Sequence, residues 1–317
     1  MSKIGEHIQQ MKKSYRETLK SSDTEEWIDL LFYRPVGYMW ACLAKKLGIT
    51  PNAITIASIF LGVAAGVAFY FPDIRINIIG MALLVWADSF DSADGQLARM
   101  TQQYSRLGRI LDGMAGDIWF IAIYVAICLR ENAATGIFAA YPLIIWGIAA
   151  FTGFFHARQA SIADYYRQFH LYFLRGGNDE LETASELKIR YDILSWKYDF
   201  LRKAILWFYL SYTRSQEAQT PYMQQLRREL KLRFPDGNIP QSFRDAFRVK
   251  CLPLMKYTNI LTFNWRAIAL FAALLIQMPV LYSVFELTVL NIVKVYLVYR
   301  HERICRMFVR ELENGNG

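Results

Sequence analysis

The chain has 317 residues, 54% hydrophobic and 15% aromatic, with a formal charge of +8, a length that allows two domains. Its apolar residues are gathered into blocks at 56–72, 76–87, 118–129, 136–155, 267–285 and 287–292, several of which approach the ~20 residues that cross a bilayer. That excludes an ordinary soluble domain and predicts an all-α, polytopic membrane protein, whose mean hydropathy of only +0.15 reflects dilution by a strongly charged stretch from about 158 to 256.

The first fifty residues carry basic side chains but no compact apolar region followed by a small-residue cleavage site, so a removed signal peptide is not expected. Asp23-Thr24-Glu25-Glu26 opens a helix. The following WIDLLFYRPVGYMWACLAKK, interrupted at Pro35-Val36-Gly37, is too charged to span. Trp27, Phe32, Tyr33, Tyr38 and Trp40 beside Arg34, Lys45 and Lys46 suit a helix lying in the headgroup layer. Thr50 can cap and Pro51 can open a first span at about 51–71. The loop PDIR turns the chain into a second span at about 76–97, the basic turn RMTQQYSR leads to a third at about 106–129, and a fourth covers about 135–157. Residues 158–258 read as amphipathic helices with a PDGNIP turn near 235–240, a cytosolic insertion lying against the membrane and lacking a catalytic signature. Spans five and six fall at about 259–280 and 282–300. The expected domains are 1–50, cytosolic and interfacial N-terminal helices; 51–157, spans one to four; 158–258, the insertion; 259–301, spans five and six; and 302–317, a basic tail.

Arg99, Arg106 and Arg109 in the second connection, and Arg300, Arg303, Arg306 and Arg310 at the end, outweigh the basic residues of the other connections. Six spans with both termini cytosolic satisfy the positive-inside rule. The four cysteines, Cys42, Cys128, Cys251 and Cys305, show no CxxC or Cys/His pattern and are expected to be packing residues. His7, His156, His170 and His301 show no mutual spacing for a metal or a nucleophilic relay. Arg158 and Arg167 follow span four, where they suit either an anionic acceptor or the positive-inside bias. The loop RGGNDELETASELK, from Arg175, lacks the lysine-serine end of a phosphate cradle and reads as a turn and a helix start.

The chemistry concentrates in SFDSADGQLARMTQQYSRLGRILDGMAGDIWF, from Ser89. Asp88, Asp91 and Asp94 end the second span, where an ionisable group costs several kcal/mol unless partnered. Asp91 and Asp94 lie ~60° apart around a helix, with Gly95 and Ala98 within ~40° of Asp91, so one stripe offers both charge and space. Asp112 follows Gly108 by one turn and supplies a matching carboxylate from the third span. Hard oxygen ligands on two helices make a site for divalent cations, and two such ions make a site for a diphosphate.

The run DSADGQLAR, eight residues, then GRILD resembles the signature of the CDP-alcohol phosphotransferases: D, two residues, DG, two residues, AR, eight residues, G, three residues, D, three residues, D. Pro51-Asn52-Ala53-Ile54-Thr55 is similar to the start of that family's first span, and the resemblance covers roughly 30–157 and, less distinctly, 259–300. It implies a six-span core, transfer of a phosphatidyl or phospho-alcohol group from a CDP-linked donor to an acceptor hydroxyl with release of CMP, and two Mg2+ or Mn2+ ions. By matching positions, Asp91, Asp94 and Asp112 would be metal ligands, and Asn52, Thr55, Gly95, Ala98, Arg99 and Gly108 would surround the cytidine nucleotide. Membrane lipids are expected partners, nucleic acid is not, and a homodimer is common in the family. The last signature aspartate, metal ligand and general base, should stand at 116, where this chain has Gly116 and then Asp117. In a regular α-helix Asp117 points ~140° away from Asp112. Either a one-residue π-bulge, eased by Gly113 and Gly116, returns Asp117 to the metal as ligand and base, or the fourth carboxylate is absent. The second case would leave an impaired, nucleotide-lipid-binding homologue. A transporter is a further class, but it would spread its ionisable groups along a path.

Overall fold

The computed structural model describes residues 15, 18, 21, 23–174 and 182–314, without the side chains of residues 106, 107, 109 and 110. The expectations for His7, for the glycine pair after Arg175 and for the side chains of Arg106 and Arg109 lie outside the described residues. Among those described, every regular element is helical. A π-helical turn at Asp29–Tyr33 leads into α1 (Arg34–Leu47), α2 (Pro51–Tyr70), α3 (Ile74–Thr101) and α4 (Arg106–Ala133). After a short turn at Ile137–Ala140 come α5 (Pro142–Leu174), α6 (Ala184–Ile193), α7 (Phe200–Gln219), α8 (Pro221–Arg233) and α9 (Gln241–Cys251). Met255–Ile260 and α10 (Phe263–Leu275) follow, then Val280–Phe285, a second π-helical turn at Glu286–Leu290, and α11 (Asn291–Glu313). The chain divides into two compact units, Met1–Phe155 with Phe263–Leu287, and His156–Thr262 with Thr288–Gly317.

In the first unit, sequence chemistry sets the helix ends. Gly48, at φ +69, closes α1 in the left-handed region that glycine adopts without penalty. Thr50 accepts from the Ala53 amide and Pro51 occupies the first turn of α2, where a missing N–H costs nothing. The same rule corrects the expected interruption at Pro35-Val36-Gly37: Pro35 lies in the first turn of α1, and the helix runs on through Gly37. Gly62 and Gly66 of GVAAG then let α2 approach α4 closely. A Cβ on Gly62 would sit 2.0 Å from Trp119 Cδ1, and one on Gly66 would sit 3.0 Å from the Ala122 backbone. Ala65, Phe69, Leu84, Ala87, Trp119, Ile123, Leu270 and Tyr282 pack into one core. At the end of α4 the buried Arg130 donates to Asn77 Oδ1 (3.0 Å), the Phe69 carbonyl (3.2 Å) and Gln277 Oε1 (2.7 Å), tying two connections together.

By length and composition, five helical stretches among the described residues can cross a bilayer: Pro51–Tyr70, Ile74–Thr101, Leu111–Ala133, Gln241–Leu275 and Val280–Glu313. The fold is all-α and polytopic, as the apolar blocks predict. The expected fourth span, 135–157, is not among the five. Helix breaks at Tyr141, and α5 starts at Pro142 and meets His156, Arg158 and Gln159 before its apolar run reaches membrane length.

The second unit has its own core, in which Phe173 and Phe247 lie 4.1 Å apart between ring centroids and Phe308 packs on Phe247 at 5.5 Å. Thr183 and Glu186 form a reciprocal capping box at the start of α6, the helix start expected in that loop. Gly237, at φ +74, makes the expected turn in PDGNIP.

Candidate metal centre

Three carboxylates meet where α3 ends and α4 begins. α3 stops at Gln102, in left-handed geometry (φ 55), and Ser105 accepts from the Gly108 amide (2.8 Å) to cap α4, which carries Asp112 back past Asp91 and Asp94. One oxygen from each of Asp91, Asp94 and Asp112 lies within 4.8 Å of the other two. Asp94 is buried, Asp91 half-buried and Asp112 exposed, so the group opens to one side. From α2 the Thr55 hydroxyl faces both the Asp94 carboxylate, at short range, and the Pro51 carbonyl (3.2 Å). These are hard oxygen donors of the kind that magnesium and manganese take, and their number and closeness fit such ions.

The residues expected around a nucleotide divide in two. Ser105 Oγ donates to Asn52 Oδ1 (3.1 Å), and a Cβ on Gly108 would stand 2.4 Å from that oxygen and 2.8 Å from Ser105 Oγ. The space beside Gly108 is therefore filled by Asn52, which binds the start of α2 to the start of α4. Gly95 opens onto Arg99, whose Nη1 and Nη2 lie 3.5 Å from the position a Cβ would take. Arg99 Nε donates to the Thr18 carbonyl (2.7 Å), while the buried Nη2 meets no acceptor among the described residues. A buried donor left unsatisfied costs about 1–3 kcal/mol, and a guanidinium in that state is suited to an anion. Ala98 is half-buried on the same stripe.

Asp117 does not join the three. α4 is α-helical from Arg106 to Ala133 with no π-turn, so of the two alternatives the bulge is not found. A Cβ on Gly113 or Gly116 would meet nothing within 4 Å, so nothing wedges the helix open there. The π-helical turns lie at Asp29–Tyr33 and Glu286–Leu290. Asp117 is accessible, ~140° around α4 from Asp112, and its electrostatic partner is the Arg266 guanidinium on α10. Arg266, 1% exposed, is ion-paired with Glu286, itself fully buried.

Asp88 also faces elsewhere, toward Asp29, Arg34 and Glu26 of the N-terminal segment. Asn264 donates to Glu26 (2.7 Å) and Asp29 (2.9 Å), and Arg34 pairs with Glu25 (2.9 Å). Burial, reinforced by Asp88, Asp29 and Glu26, holds the Tyr33 phenol well above its ordinary range. This polar layer was missed in the sequence. So was the pair Arg266–Glu286, although two ionisable residues inside apolar blocks were a readable signal.

Arg167, one of the two arginines after span four, donates to Asn259 Oδ1 (2.8 Å). The expectation that histidines and cysteines share no metal spacing is corrected in the second unit, where His301, Glu302 and Cys305 each offer a ligand atom within 4.8 Å of the others. Positions four apart on a helix share a face, a pairing that a search for CxxC patterns passes over.

Residues 48–168 match the family model described as CDP-alcohol phosphatidyltransferase. That stretch contains Asn52, Thr55, Arg99 and all the carboxylates of α3 and α4. No curated protein matches the chain.

Proposed function

We propose that this chain, whose residues 48–168 match the CDP-alcohol phosphatidyltransferase family model, moves a phosphatidyl or phospho-alcohol group from a CDP-linked donor to an acceptor hydroxyl in lipid synthesis, releasing CMP. The observation that carries this reading is the convergence of Asp91, Asp94 and Asp112 from two helices, with Arg99 Nη2 on the same stripe of α3 lacking an acceptor among the described residues.

Asp91, Asp94 and Asp112 would hold two Mg2+ or Mn2+ ions, which when bound supply charge neutralisation for the diphosphate and for the attacking and leaving oxygens. Thr55 orients Asp94 by hydrogen bonding, as an outer partner orients a metal ligand. Arg99 Nη2 donates to a phosphate oxygen of the donor, and Gly95 and Ala98 leave the face of α3 open for the nucleotide. Asn52 and Gly108 hold the first turns of α2 and α4 together and so fix the mouth of the nucleotide pocket. The acceptor oxygen bonds to the donor phosphorus, the phosphorus–oxygen bond to CMP breaks, and the acceptor proton passes to a base. Asp117 takes that proton from the acceptor side, with Arg266 as its partner, in place of the carboxylate missing at 116. The site and both termini face the cytosol in a six-span arrangement with residues 135–157 as the fourth span, and the chain works in membrane lipid as a homodimer.

The test is purified protein in detergent with CDP-diacylglycerol, Mn2+ or Mg2+ and a panel of hydroxyl acceptors, read by CMP release and by mass spectrometry of the lipid formed. Metal-dependent CMP release that falls at least a hundredfold in Asp117→Asn is the expected result. Nucleotide binding without turnover would replace the enzyme by a nucleotide-lipid binder. Transfer unchanged in Asp117→Asn would remove that residue from the mechanism.

A further inference from the structure

His301-Glu302-Arg303-Ile304-Cys305 on α11 places an imidazole and a thiol one turn apart on one face, the arrangement by which a single helix gives a metal two ligands. His301 Nδ1 and Cys305 Sγ are 3.4 Å apart. Tetrahedral zinc, bound at about 2.0–2.3 Å, sets its ligand atoms roughly 3.3–3.8 Å from one another, so the pair already stands at chelating separation. With a Glu302 oxygen they form a group within 4.8 Å, and the three residues are 1%, 0% and 9% exposed for His301, Cys305 and Glu302.

Glu302 is held in place by the first turn of α8: its oxygens accept from the amides of Tyr222 (2.6 Å) and Met223 (3.2 Å). Each oxygen keeps a further lone pair for a metal. No cation pairs with this carboxylate among the described residues, and the first turn of α8 supplies the positive end of a helix dipole beside it.

A second, independent observation comes from α5. Tyr166 is fully buried, its ring stacks on His301 with centroids 3.8 Å apart, and its hydroxyl has no hydrogen-bond partner among the described residues. The charges that act on that phenol most strongly are Glu302 and Cys305. Burying a hydroxyl unsatisfied is costly, and this one belongs to the ring that covers His301.

We propose that the second unit holds a zinc-type ion, bound by His301 Nδ1, Cys305 Sγ and Glu302, distinct from the dications of the carboxylate group. Binding releases the thiol proton to solvent and clips α11 to the start of α8.

The test is cobalt titration of the full-length, chelator-treated protein in detergent, with Co2+ as the probe. A thiolate-to-cobalt charge-transfer band should saturate at stoichiometric metal, vanish on addition of Zn2+, persist in Asp91→Asn and disappear in Cys305→Ser. His301→Gln, which keeps a polar side chain of similar reach, should weaken cobalt binding at least about tenfold, and serves if the cysteine variant fails to fold. No band in the wild-type protein, a band that survives Cys305→Ser, or full affinity in His301→Gln would each overturn the proposal.

Discussion

Replacing Asp91 with asparagine should stabilise the protein without metal and destabilise it relative to wild type with metal. At 4.8 Å, the widest separation within the group, two carboxylates repel by about 3.5 kcal/mol at an effective dielectric of about 20, and by about 0.9 kcal/mol in bulk water. The buried Asp94 belongs nearer the first value and the exposed Asp112 nearer the second. Removing one charge at Asp91 therefore relieves on the order of 1–4 kcal/mol in chelated protein, a rise of a few degrees in unfolding midpoint. A dication at a thousand times its dissociation constant adds about 4.1 kcal/mol to the form that binds it, more than the relieved repulsion. Wild type should gain this and the variant little of it, so the order of the two proteins should invert. Tryptophan fluorescence during heating in detergent, with EDTA and then with Mn2+, reads both midpoints. A variant that is no more stable than wild type in EDTA, or that gains as much from Mn2+, would refute the reasoning.

Gly62→Ala puts a methyl group 2.0 Å from the Trp119 ring and should cost about 1–3 kcal/mol, read as a lower unfolding midpoint in detergent. Arg266→Met leaves Glu286 buried without its pair and should cost about 3–5 kcal/mol, much of it recovered when Glu286→Leu is added; thermal unfolding of the single and double variants checks both. Arg99→Lys keeps the charge but loses the planar fork, and should weaken CDP binding about tenfold by calorimetry. The Thr183 amide that donates to Glu186 holds its carboxyl below the ordinary value of 4.5, so this cap contributes fully above that value and is lost as pH falls through the lowered one. Glu186→Gln should flatten that acid limb in helix content measured by circular dichroism.

The helices were legible because their signals are local. Thr50-Pro51 opens α2 by the rules of capping, and the alternation of apolar blocks with basic connections marks the spans. The three carboxylates were legible because helical periodicity and a short turn leave few ways for Asp91, Asp94 and Asp112 to meet. What the sequence withheld depends on contacts far along the chain. Nothing near Gly108 reveals that Asn52, on another helix, fills the space beside it. The choice between a bulged and a regular α4 at Gly116-Asp117 turned on whether a neighbour presses on Gly113 and Gly116, which no local pattern encodes. Glu26 read as part of a helix start, and only the fold sets Asn264 between it and Asp29. His301 and Cys305 were readable at four residues' spacing, which places both on one face of a helix.

The most direct measurement is the anomalous scattering of manganese in crystals grown with Mn2+ and CDP. The account predicts two peaks bracketed by Asp91, Asp94 and Asp112, with the diphosphate between them and the Arg99 guanidinium on a phosphate oxygen. Manganese density anywhere else in the first unit, or a diphosphate bound away from these carboxylates, would contradict it.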